Sequence, residues 1–167
     1  MQALLPLLAK PNQPERLYAA LDAALAKDVG HKLLTLLCVD GSDVARVYST
    51  QPDAYPLSER KPMGATAWGH KVLTNQEPFL GPDRESIMWA FYDHELIARL
   101  GLGSAITVPV VYDGTTLGSL NLLHEEHVYG IDHLKRVAKY APLLIPAFAE
   151  FKRCRFATQT SEIMQLI

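Results

Sequence analysis

Two Asp-Gly pairs, each set between apolar runs, constrain this chain more than any other feature. Residues 32–39 form a β-type run that ends at Asp40-Gly41, and a second run follows over 44–50. Residues 105–112 form another, followed by Asp113-Gly114 and then by 115–123. An Asp-Gly pair accepts the positive φ angles of a tight turn, so each arrangement predicts a β-hairpin. Hairpins join antiparallel neighbours, which excludes a doubly wound parallel sheet. Pro109 cannot donate to a strand ladder and Gly118 packs nothing, so each marks an edge, a bulge or a close backbone approach.

Helical patterns flank and separate the hairpins. Asn12 is placed to cap a helix starting near Gln13, with Pro14 in the first turn and Glu15 completing a capping box. Leu17, Leu21, Ala24 and Leu25 fall on one face of that helix, and Gly30 lies just past its end. After Gly130, Leu134, Ala138, Ala141, Ile145 and Phe148 recur at heptad-like spacing, with Leu144 and Phe151 widening the stripe. Pro142 and Pro146 remove backbone donors there, which predicts a kink or break near Ala141. The tail over 152–167 reads as partly helical, with Phe156, Ile163, Met164 and Leu166 in need of cover.

Between the hairpins, residues 51–103 form a Pro- and Gly-rich insertion with two predicted helices. The short one, 66–74, carries Trp68, Val72 and Leu73 on its apolar side and stops at Asn75. The longer one, 86–100, places Ile87, Phe91, His94 and Ile97 on one face. Gly101 and Gly103 end it and can serve as a hinge. An insertion of that size between sheet strands reads as a lid or binding loop.

The 167 residues suit one domain, taken as 1–167 with a core over 14–150, the lid at 51–103 and the tail at 152–167. Acidic and basic residues number 18 and 16, with no basic tract, so neither nucleic acid nor an anionic membrane surface is expected as a partner. The apolar stretches are too short to span a bilayer, and the N-terminus has neither a basic leader nor a small-residue cleavage site. Cys38 and Cys154 are the only cysteines, and two in a chain with its own core read as thiols of a reducing cytoplasm.

The segment Gly101-Leu102-Gly103-Ser104-Ala105-Ile106-Thr107-Val108-Pro109-Val110, then Tyr112-Asp113-Gly114, then Leu117-Gly118-Ser119-Leu120-Asn121-Leu122, resembles the closing part of a GAF domain. Asn75-Gln76-Glu77-Pro78-Phe79 ahead of Asp83 is similar to that family's lid segment, and the likeness covers roughly residues 14–150. It implies an α+β sandwich: a central antiparallel sheet of about six strands, terminal helices on one face, and a helical lid and ligand pocket on the other. It further implies a sensory domain that binds a small molecule and dimerises through its terminal helices, but the fold names neither ligand nor cofactor. Cyclic-nucleotide-binding members carry an Asn-Lys pair, a Phe and an Asp-Glu pair. Asn75, Phe79 and Asp83 match, while Gln76 and Arg84 depart. Bilin-attaching and methionine-sulfoxide-reducing members use lid cysteines, and none lies between Cys38 and Cys154.

Individual residues sharpen the pocket reading. On the 86–100 helix Asp93 and His94 diverge by about 100°, so both cannot point at one centre, and His94 turns inward with Phe91 and Ile97. His124-Glu125-Glu126-His127 follows a strand and lacks the four-residue histidine spacing of a zinc helix, so it reads as a solvated strand end. Trp68 and Trp89 either wall a pocket or pack in the core. Thr107, Ser119 and Asn121 alternate with apolar neighbours and face the lid if Ile106, Val108, Leu120 and Leu122 face the terminal helices. The candidate ligand-binding set is Trp68, Trp89, Tyr92, Asp93, His94, Ser104, Thr107 and Asn121, with no catalytic or metal set. Two other readings stay open: a small enzyme using pocket histidines, such as a redox or sulfoxide-reducing relative, and an interaction module with a vestigial pocket.

Overall fold

The computed structural model describes residues 3–63 and 66–164, the side chains of 156–164 excepted. Six strands, β1 (Leu33–Asp40), β2 (Asp43–Ser49), β3 (Arg60–Pro62), β4 (Phe79–Gly81), β5 (Ser104–Tyr112) and β6 (Thr115–His124), form one antiparallel sheet in the order β3-β2-β1-β6-β5-β4. The helices are α1 (Glu15–Asp28), α2 (Ala67–Gly69, continued by a π turn His70–Thr74), α3 (Arg84–Ala90), α4 (His94–Arg99), α5 (Ile131–Ala138) and α6 (Ile145–Met164).

Both hairpins form, with different turns. Tyr112 pairs with Thr115 around Asp113 and Gly114, both at positive φ, as an Asp-Gly turn requires. In the first hairpin Asp40 pairs with Asp43, so the loop is Gly41-Ser42 with Gly41 at φ +65°. Asp40 therefore remains in β1 with a buried side chain. Pro109 lies beyond β4, which pairs only with Ala105–Thr107, so its missing donor breaks no ladder on that side. Gly118 is a close approach. A Cβ there would fall onto the Leu37 carbonyl and 2.7 Å from the Phe148 ring.

The strand period of two divides the core between the faces. Leu34, Leu36, Cys38, Ile106, Val108, Leu120 and Leu122 pack with Leu21 and Leu25 of α1, Val137 of α5 and Phe148 of α6. Leu33, Leu37, Ala105 and Leu123 pack with Trp68, Val72, Phe79, Ile87 and Ile97 from the insertion.

Local expectations are corrected in three places. α1 begins at Glu15 rather than Gln13. Asn12 adopts φ 66° and supplies only its carbonyl to Arg16 N–H, so no side chain caps the helix. The insertion is not all lid, since it also contributes both edge strands, β3 and β4. The expected 86–100 helix is two, α3 and α4, separated by Phe91 in an extended conformation (φ −122°, ψ 125°). The terminal break does occur: α5 ends at Ala138, a 3-10 turn covers Ala141–Leu144, and α6 restarts at Ile145 with Pro146 in its first turn. Tyr140 Oη donates to Asp28 Oδ2 at 3.0 Å, tying this region to α1. The cover of Phe156, Ile163, Met164 and Leu166 lies outside the described side chains.

Candidate ligand-binding site

A cavity of about 400 Å³ lies between the sheet and the insertion. Its floor is Leu33, Thr35 and Leu37 of β1 with Asn121 and Leu123 of β6. Val44 and Arg46 of β2 and Arg60, Lys61 and Pro62 of β3 form one wall, together with Tyr55. Trp68 and Gly69 of α2, the Ala90–Asp93 junction and Ile97 of α4 close it.

Local folding explains why these groups converge. Thr66 Oγ1 accepts the Gly69 N–H at 3.0 Å, starting α2 so that Trp68 enters the cavity roof. Asp83 caps α3, accepting from Ser86 N–H at 2.9 Å and Ser86 Oγ at 2.7 Å, and these bonds hold its carboxyl below the usual range. Asp93 receives the Tyr55 hydroxyl at 3.0 Å and lies 3.8 Å from Lys61 Nζ, which pins the junction to β3. Burial, then the adjacent Asp93 carboxylate, pushes the Tyr55 hydroxyl strongly up, so it remains a donor.

The polar groups of the floor satisfy one another. Ser119 Oγ donates to Asn121 Oδ1 at 3.2 Å, and Asn121 Nδ2 donates to the Thr35 carbonyl at 3.2 Å. Trp68 Nε1 donates to Thr107 Oγ1 at 3.1 Å. The β2 wall differs. Arg46 has a side chain only 3% exposed, ion-paired with Glu59, with Nη1 donating to the Pro56 carbonyl at 3.0 Å. Its Nε is buried and has no hydrogen-bond partner.

No protein-family model matches the sequence, and no curated protein matches it. Among solved structures, 261 chains match. They include the GAF domain of a phosphoenolpyruvate-protein phosphotransferase from Coxiella burnetii, at 16% identity and TM-score 0.70, covering 93% of this chain and 93% of that one. The GAF domain of a two-component sensor histidine kinase from Bacillus halodurans matches at 12% identity and TM-score 0.67, covering 80% and 92%. The A. aeolicus nlh2 GAF domain, solved in an inactive state, matches at 15% identity and TM-score 0.66, covering 90% and 93%. The fold is that of a GAF domain.

Within this GAF fold, the eight residues singled out from the sequence separate into two groups. Trp68, Tyr92, Asp93 and Asn121 lie on the cavity wall. Trp89, His94, Ser104 and Thr107 do not. Trp89 is 53% exposed and stacks on Phe79 with centroids 5.8 Å apart. His94 is the first residue of α4. The break at Phe91 shifts the helical phase, so Tyr92 and Asp93 reach the wall and His94 does not. Ser104 Oγ donates to the Glu125 carbonyl at 2.6 Å, anchoring the turn after β6. Thr107 is fully buried beneath Trp68.

Most of the cavity lining was missed from the sequence, including its three cations, Arg46, Arg60 and Lys61, and Tyr55 beside them. Arg46 carried a usable signal, a charge set between the apolar Ala45 and Val47 of its strand. Its register pairs Arg46 with Leu37 on the lid side, whereas Tyr48 pairs with Leu36 on the helix side because Val47 is an extra, bulged residue. The 124–127 run ends β6 in surface ion pairs, Glu125 with Lys32 at 2.5 Å and Glu126 with Arg84 at 3.6 Å. No cluster with metal-holding geometry occurs among the described residues.

Proposed function

We propose that this chain is a non-enzymatic sensory or regulatory domain that binds a small molecule in the cavity between sheet and insertion. The observation that carries this reading is the cavity itself: about 400 Å³, apolar for the most part, with a few polar groups at fixed positions. Neither histidine nor cysteine lines it among the described residues, which disfavours the alternative of an enzyme using pocket histidines. A collapsed insertion would favour the vestigial-pocket alternative, and the open volume speaks for the binding reading instead. A cytoplasmic location belongs to the same proposal. No helix among the described residues is long and apolar enough to cross a membrane.

Signalling through a homodimer of the terminal helices is part of this reading. Leu144 and Phe148 are already covered within the chain, while Leu134, Ile145 and Phe151 are only partly covered and Ile131 is exposed. Light scattering at micromolar concentration should find a dimer, and a monomer there would remove this part of the proposal.

A metabolite screen by thermal shift tests the binding. A ligand present at a hundredfold excess over its dissociation constant stabilises the fold by about 2.7 kcal/mol, a rise of roughly 5–10 °C for a domain of this size. Leu37→Trp combined with Leu123→Trp, which sets two indoles into the floor, should abolish the hit. Hits that persist unchanged in that variant place the binding elsewhere.

A further inference from the structure

The two sides of the cavity have opposite polar character, and this restricts the chemistry of a ligand. Floor groups Asn121 and Thr35 are committed to protein partners, as described above. The β2–β3 wall presents three cations, Arg46, Arg60 and Lys61. Their carboxylate partners are Glu59 for Arg46, Asp40 for Arg60 and Asp93 for Lys61. Asp40 is shared, since Arg155 of α6 lies 3.1 Å from its Oδ2. Four cations thus face three carboxylates, and of those carboxylates only Asp93 reaches the cavity wall.

Two details show that the positive side is incompletely satisfied. Arg46 is buried with its Nε unpartnered, a costly arrangement for a desolvated donor. Lys61 Nζ lies 3.8 Å from Asp93, beyond hydrogen-bond length, and 4.6 Å from the centroid of the Tyr92 ring at the cavity mouth. The single carboxylate on the wall already accepts from Tyr55, so it offers little to a cationic ligand.

We infer that the ligand is a small monoanion with an apolar or aromatic body, a carboxylate or an anion of similar shape. The inference rests on the binding reading above and deepens it. Arg46 and Lys61 hold the anionic group, because a planar guanidinium and a mobile ammonium are the donors on this wall with unspent capacity. The body lies against Trp68, Phe91, Leu37 and Leu123, where no unsatisfied polar group competes for it. Three wall cations near balance with their three carboxylate partners suit a monoanion better than a phosphate dianion. The glycine-rich loop that cradles a phosphate is also absent from the described wall.

The test is an NMR titration of the full chain carrying Trp89→Phe, which leaves Trp68 as the one tryptophan indole resonance. The probes are 3-phenylpropanoate and its neutral isostere 3-phenylpropanamide. The acid should shift the Trp68 indole and bind at least about tenfold more tightly than the amide. Lys61→Gln should bring the acid down to the affinity of the amide and leave the amide unchanged. Arg46→Gln should also reduce the preference for the acid, and if that variant does not fold, Lys61→Gln and the acid–amide pair still decide. Equal affinities for acid and amide, both shifting Trp68, overturn the anion inference and leave the cavity as a binding site. If neither probe moves Trp68 up to its solubility limit, the anion inference falls, while the binding reading stands or falls on the metabolite screen.

Discussion

Leu36 and Leu37 are adjacent on β1 and lie in two different interiors. Leu36 faces the terminal helices, where Leu21, Leu25, Leu120 and Phe148 fill the space. Leu37 faces the insertion and borders the open cavity. On the helix side there is no room even for a Cβ at Gly118. On the other side an arginine is buried with a donor unspent. A closely packed layer holds the sheet in shape, and a layer left open on the opposite face leaves somewhere for a ligand to act.

The largest expected effect tests that contrast directly. Leu36→Ala should cost roughly 4 kcal/mol in urea denaturation, since it opens a new void in a packed layer. Leu37→Ala should cost only about 2 kcal/mol, because it enlarges space that already exists. Equal losses would mean that the cavity is not open in solution.

The thiols report the same contrast by kinetics. Cys38 is fully buried on the helix side, and burial, then the nearby Asp40 carboxylate, pushes its thiol strongly up. Cys154 is exposed, and its Sγ donates to Glu150 Oε1 at 3.5 Å. The flanking arginines are engaged elsewhere, Arg153 with Glu150 and Arg155 with Asp40, so accessibility separates the two thiols. A thiol reagent should label Cys154 at least about a hundredfold faster, given that Cys38 reacts only through local opening. Comparable rates would contradict the packing assigned to the helix side.

Asp40 links the two interiors, since it engages Arg60 on the cavity wall and Arg155 on α6. Asp40→Asn should raise hydrogen exchange in α6 around residues 150–155 by several-fold while leaving α1 unchanged. No change in α6 would deny Asp40 any part in connecting cavity and helix.

The smallest expected effect is a pH dependence at the end of β6. Burial holds the His124 imidazole below its ordinary 6.5. Between pH 6.5 and that lowered value the unfolded chain binds more protons, so the histidine favours the fold above pH 6.5 and loses this contribution as pH falls. His124→Gln should flatten the fall in the urea midpoint between pH 7.5 and 5.5 by a small, measurable amount. An unchanged slope would remove His124 from the acid response.

The hairpins, the terminal break and the division of β5 and β6 between two faces were readable because each has a local cause: turn residues, prolines, or a period of two. The cavity wall was less readable. Nothing in Ala90-Phe91-Tyr92-Asp93 breaks a helix by itself. The break goes with the tertiary pairing of Asp93 with Tyr55 and Lys61, which a local pattern does not contain. β3 is three residues, Arg-Lys-Pro, with no β signal of its own, and it is a strand only because β2 offers an edge. Hence Trp68 and Asn121 could be singled out from their elements, whereas Arg60 and Lys61 could not.

The central claim is that the cavity holds a small molecule, and native mass spectrometry tests it most directly. The protein is incubated with a metabolite extract, exchanged gently into a volatile buffer, and compared with the Leu37→Trp, Leu123→Trp double variant treated in the same way. The account predicts one added small-molecule mass per chain in the natural protein and none in the filled variant. A natural protein that carries no added mass, or the same added mass in both, would contradict it.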